Sequence, residues 1–162
     1  MAYNTIKIRK YSDVIEEHIA SAIIVPGMLL QVASTDTVAK HATIYGNVIP
    51  MFALEDELQG REIGDAFAAL EPVQCWIPNR GDVVLAILAD GQNVAIGDLL
   101  ISHGDGYLMK YTATDDSDFT QHPNQIVGMA MEAKNLATGN SSGGALDDPT
   151  LEFNARIKVR IL

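Results

Sequence analysis

The chain has 162 residues, 48% of them apolar, and a formal charge of −10 from 21 acidic against 11 basic side chains. That size and apolar content suit one folded domain with a sizeable core rather than a disordered segment. The acidic balance argues against a nucleic-acid partner, which needs clustered Lys and Arg; the single cysteine, Cys75, excludes an internal disulfide framework and a multi-thiolate metal site.

The chain opens on Thr5-Ile6-Lys7-Ile8-Arg9, alternating apolar and charged as a half-buried strand should. Ser12-Asp13 then offers side-chain acceptors for the free amides of a short helix through Val14, Ile15, His18 and Ile19, with an extended arm as the alternative. Residues 1–24 are therefore expected to form an N-terminal arm with a strand and one short helix, and 25–162 a β-rich core. The uncharged run Ile19–Leu30 is interrupted by Pro26-Gly27 and falls short of the roughly 20 residues a membrane span needs, so no membrane is expected. No charged segment followed by an apolar stretch and a small-residue cleavage site opens the chain, so no secretory signal is expected.

From Pro26 onward the signal is β. Met28–Val32 reads as a strand closed by Ser34-Thr35-Asp36, and Ile44–Ile49 as a second, broken at Gly46 and ended by Pro50. Glu55–Gly60 carries helix formers stopped by a glycine, predicting one or two turns. Val73–Ile77 and Val83–Leu88 each fit a short strand. The clearest hairpin joins Leu99–Ser102 to Tyr107–Tyr111 through His103-Gly104-Asp105-Gly106, because Asp-Gly between apolar strands favours a tight turn. Thr112–Asn124 is a polar acidic loop, Ile126–Met131 a buried strand, and 134–150 a flexible excursion rich in Gly and Ser. The last strand sets Ala155, Ile157, Val159 and Ile161 on one side and Arg156, Lys158 and Arg160 on the other.

A phrase of Gly, Asp and then apolar residues recurs at Gly64-Asp65, Gly81-Asp82 and Gly97-Asp98. Glycine supplies an unusual backbone angle and Asp accepts nearby amides before the chain enters a buried strand. The unequal spacings make it punctuation rather than a repeat. About eight short strands with frequent turn signals predict an all-β fold, a compact barrel or sandwich with one or two short helices.

The candidates for chemistry each have a plainer explanation. His103 and Asp105, with His41 or His122, supply ligand types for a metal, but the first two fall in the hairpin tip and the histidines lack ligand-like spacing. Cys75 sits in an apolar strand, where a thiol is a small hydrophobe. Asp115-Asp116-Ser117-Asp118 lacks the alternating oxygens, the Gly and the late Glu of a calcium loop. Glu55, Asp56, Glu57, Glu62 and Asp65 show none of the contrast in environment that paired catalytic carboxylates require. Neither a Gly-x-Ser-x-Gly elbow nor a phosphate-cradling glycine loop occurs. The expectation is a protein with no catalytic residues, metal or cofactor.

Charge is distributed unevenly. Lys7, Arg9 and Lys10 lie at one end and Arg156, Lys158 and Arg160 at the other; residues 11–155 hold five bases and all 21 acids, so 5 − 21 gives −16. Lys7, Arg9, Arg156, Lys158 and Arg160 are therefore the candidate interface residues, on terminal strands whose edges another chain can pair with.

Several longer phrases are shared with a known group. Pro26-Gly27-Met28-Leu29-Leu30, Gly46 through Glu55, Leu88 through Leu100 and Ile126 through Glu132 resemble the small capsid decoration (cement) proteins of tailed bacteriophages, over most of 25–133 and the closing strand. The resemblance implies a β-rich body made in the host cytoplasm and mounted on the outer surface of the virion head. It implies binding to the major capsid protein, and self-association as a trimer or, in some relatives, a dimer. Two other classes fit a small β fold: a small-molecule binder lined by Trp76 and tyrosines, and a nucleotide hydrolase of the dUTPase type, for which the phosphate-holding bases are scarce.

Overall fold

A computed structural model describes residues 5–9, 14–112, 124–136 and 155–162. Among them the chain is all-β, with thirteen short strands and one 3-10 turn. The strands are β1 (Lys7–Arg9), β2 (Ile15–Ala20), β3 (Leu30–Ser34), β4 (Thr37–Lys40), β5 (Phe52–Ala53), β6 (Pro72–Trp76) and β7 (Val83–Ile87), followed by β8 (Asn93–Val94), β9 (Leu99–Ser102), β10 (Leu108–Lys110), β11 (Ile126–Ala130), β12 (Lys134–Asn135) and β13 (Arg156–Ile161).

The first half of the chain forms a five-stranded sheet in the order β3-β4-β2-β6-β5. Its ends meet: Gly27 N–H donates to Ala53 O (2.9 Å), Ala53 N–H to Met28 O (3.1 Å) and Leu30 N–H to Met51 O (2.8 Å), so the sheet closes into a ring. The second half forms a sheet ordered β1-β7-β13-β11-β9-β10. Its strands β7, β13, β11, β9 and β10 close a second ring through a bridge between Leu88 and Leu108, with Ala89 N–H donating to Leu108 O (2.8 Å). Ring closure pairs much of the strand edge that makes open sheets prone to association. The two rings share one core, with Trp76, Phe52, Phe67, Leu29, Leu88 and Leu100 fully buried. Each of these side chains contributes roughly 2–3 kcal/mol by leaving water.

The recurring Gly-Asp phrase is one turn used repeatedly. In Glu62–Asp65, Asn79–Asp82 and Ala95–Asp98, the aspartate amide donates to the carbonyl three residues back (3.0, 3.0 and 3.2 Å). In each, the aspartate carboxylate accepts the amide of that same residue (2.7, 2.8 and 2.8 Å). In two of the copies, Gly81 and Gly97 adopt φ of 95° and 90°. A fourth copy hides in Ala68–Glu71, where Glu71 replaces Asp (2.9 Å to Ala68 N) and Leu70, at φ 71°, replaces Gly.

Three expectations need correction. Residues 15–20 are strand, not helix: β2 pairs with β6 along Ile15–Ile19 and runs parallel to β4, and these tertiary bonds outweigh the local helix-start signal. Ile44–Ile49 is irregular rather than a strand, with Tyr45 at φ 56° and Ile44 and Ile49 exposed. The excursion assigned to 134–150 begins later, since β12 pairs with β8 and Leu136 is buried; 137–150 lie outside the described residues. The one or two turns expected over Glu55–Gly60 are a single 3-10 turn, Glu57–Gln59, capped by Asp56 and stopped, as expected, by Gly60 at φ 73°.

Candidate interaction surfaces

The hairpin tip behaves as turn chemistry predicts. Asp105 accepts the Tyr107 amide (3.2 Å) and faces His103 Nδ1 (3.0 Å), so both side chains serve the tip. His41 is buried beside the tip, its carbonyl accepting the Gly106 amide (3.1 Å): Nε2 meets the Asn47 carbonyl (3.1 Å) and Nδ1 the Ser102 hydroxyl (2.7 Å). A carbonyl only accepts, so these partners assign the proton to Nε2, and Nδ1 accepts from Ser102. The Ser102 oxygen in turn accepts the Gly104 amide (3.1 Å), tying β9 to the end of β4. No group of three or more His, Cys, Asp or Glu positioned for a metal occurs among the described residues, and His122 and 115–118 lie outside them.

Cys75 is fully buried, and burial, with Glu16 nearby, pushes its thiol up to about 12, far from the thiolate that nucleophilic chemistry needs. Of the acidic segment, Glu55 is buried and accepts the Ile6 amide (3.1 and 3.2 Å) and the Thr5 hydroxyl, which moors the N-terminal strand. Arg61 grips Glu71 through two bonds (2.8 and 3.1 Å) and holds that carboxyl down to about 2, helped by the Ala68 amide.

The five terminal cations do not stay together as a surface set. Arg156 is only 4% exposed; its guanidinium donates to the carbonyls of Pro26 (2.9 Å) and Ile63. It is a structural strut between the rings, and its assignment to an outer face by strand alternation is overturned. The polar side of β13 is covered at that end by the first ring. Lys158 and Arg160 are half-buried, and Lys158 pairs with Glu132 at 3.5 Å. Lys7 and Arg9 lie on β1, which pairs with β7 on the edge opposite β13; Arg9 and Arg160 both register with Val83.

One apolar recess among the described residues was not legible in the sequence. Where β3 and the chain before β5 part company, a cleft of about 520 Å³ opens. Leu30 and Met51 are among its lining residues, as are Val32, Ile49 and Ile77, and Glu16 is the one charged side chain. Val32 and Ile49 are 61% and 79% exposed. Their apolarity reads as strand core in the sequence; only the parting of the two segments at Pro50 leaves them in water.

No protein-family model and no curated protein matches the chain. Among solved structures, its fold is similar to that of the head fiber gp8.5 N base of bacteriophage phi29. The likeness has a TM-score of 0.53 and spans 93% of this chain and 95% of that one, at 16% identity. At that identity it establishes a shared fold.

Proposed function

We propose that the chain is a structural protein of a phage virion that binds the outer surface of the head and stabilises the major capsid protein lattice, as a homo-oligomer and without a catalytic centre. The observation that carries this reading is the fold shared with a phage head fiber base along almost the whole of both chains. Such a role asks for surface shared with neighbours, and repetition around a shell makes modest single contacts effective. Lys7, Arg9, Lys158 and Arg160, on β1 and β13 either side of β7, supply a salt-sensitive part of that contact.

Mixing the purified protein with heads that lack it tests the reading. The expected result is saturable binding, a raised temperature of head disruption, and affinity that falls with salt and with Arg160→Glu. Absence of saturable binding overturns it. A small-molecule binder is the rival with an observation behind it, the 520 Å³ cleft. Strong thermal stabilisation of the isolated protein by a small apolar compound, with no affinity for heads, would favour that rival.

A further inference from the structure

The outer edge of β3 is the place where the first ring is left unfinished. Leu30 N–H points across the seam to Met51 O at 2.8 Å. Backbone groups alternate in direction along a strand, so Val32, two residues on, presents its N–H and C=O to the same side. Pairing across the seam stops at Leu30: in the register set by Leu29 and Phe52, Val32 would next face Ile49, but Ile49 lies outside the strands and no backbone bond joins these two described residues. Among the described residues no backbone partner faces Val32 on that side. The cleft lies beside this edge.

Its lining has the character of a strand-binding groove. Leu30, Val32, Ile49, Met51 and Ile77 are apolar, and Val32 and Ile49 stand 61% and 79% in water. Val14 and Ile15 extend the apolar surface beyond Ile77, whose amide donates to Val14 O (3.0 Å); they are 45% and 39% exposed. The one charge in the lining is Glu16, its side chain 49% exposed and bonded only to His18 (3.1 Å) among its described partners. A negative charge beside an apolar trough and an unpaired edge selects an extended segment with alternate apolar side chains and a Lys or Arg near Glu16.

We propose that an extended segment of the capsid protein adds as a strand to β3 at Val32, fills the cleft between Val32, Ile49 and Ile77, and places a cationic side chain against Glu16. This rests on the head-binding role above and names the surface that performs it.

The experiment measures binding of the full chain to heads for wild type, Val32→Glu, Ile49→Glu and Glu16→Lys. Leu58→Glu and Ile96→Glu serve as controls, exposed apolar sites (92% and 72%) outside the cleft. Because all five apolar and acidic targets are largely or partly in water, unfolding midpoints should stay near wild type. The proposal expects at least tenfold weaker binding for Val32→Glu and Ile49→Glu and about fivefold for Glu16→Lys, with both controls unchanged. It also expects slowed amide hydrogen exchange at Val32 in the head-bound protein, which an apolar contact without strand pairing would not produce. If wild type binds heads and the cleft variants bind equally well, the docking site is wrong and the head-binding role stands. If wild type does not bind, both fall. Cleft variants that change the oligomeric state of the free protein would reassign the cleft to a second copy and overturn the proposal.

Discussion

Strands β7 and β3 each take part in closing a ring, and they end in opposite circumstances. Along the outer edge of β7, Leu85 donates to Ile6 O (2.9 Å), Ile87 to Gly27 O (3.3 Å) and Ala89, just past the strand, to Leu108 O (2.8 Å). Three separate parts of the chain thus share that edge, and every residue of β7 is buried. Along the outer edge of β3, Leu30 finds Met51 and the bonding stops; Val32, Ala33 and Ser34 are exposed. A buried strand must have all its backbone groups paired, whereas an edge left in water can wait for a partner. The contrast separates the part of the molecule that holds the fold from the part free to meet something else.

The largest effect should come from breaking the ring to which β7 belongs. Gly128 on β11 is packed so closely that a Cβ would lie 2.5 Å from Arg160 O and 2.6 Å from Val159 Cγ1. Gly128→Ala should lose about 3 kcal/mol of stability, because backbone must move to admit one methyl group, read as a lowered denaturant midpoint. The same replacement at Gly97, where nothing lies within 4 Å, meets only the strain of its φ of 90° and should cost about 1 kcal/mol.

Next is the turn that delivers the chain into β7. Asp82 is fully buried and its carboxylate takes the Asn79 amide at 2.8 Å. Asp82→Ala should cost about 2 kcal/mol, since it removes the charged acceptor of a part-buried bond from a fully buried position; Asp65→Ala, in the exposed copy of the turn, should cost about half of that. Equal losses would show that burial does not separate the two copies.

The smallest effects belong to the fourth turn, in the first ring. Leu70 is 81% exposed and held at φ 71°. Leu70→Gly should raise stability by about 0.5 kcal/mol, the relief of left-handed strain less the entropy glycine adds to the unfolded chain. Glu71 in the same turn is held down to about 2 by Arg61. Its folded value lies below its unfolded one, so its contribution is present above the ordinary carboxylate range and fades as pH falls toward 2. Wild type and Glu71→Gln should therefore differ in unfolding midpoint near neutral pH and converge at pH 2.

Much of the β-content was legible because its signals are local. The Asp105-Gly106 turn, the alternation through Ile157, Val159 and Ile161, and the aspartates that accept amides three residues back all act within a few residues of themselves. So does Gly60, which stops the one 3-10 turn. Signals that need a distant partner were misread. Ile15–Ala20 carries helix-start chemistry, yet becomes a strand because β4 and β6 lie on either side of it. Arg156 follows the polar side of its strand, yet is drawn inward by carbonyls 130 and 93 residues away.

The sequence by itself determined the all-β character, the positions of the turns and most of the residues that fill the core, since periodicity, glycine angles and aspartate caps are properties of short segments. Tertiary structure decided that the strands close into two rings, which cations remain at the surface, and where the β3 edge is left bare. Those outcomes depend on which segments meet across the fold: the β3 edge is bare at Val32 because the chain before β5 pairs with it as far as Leu30 and no further among the described residues.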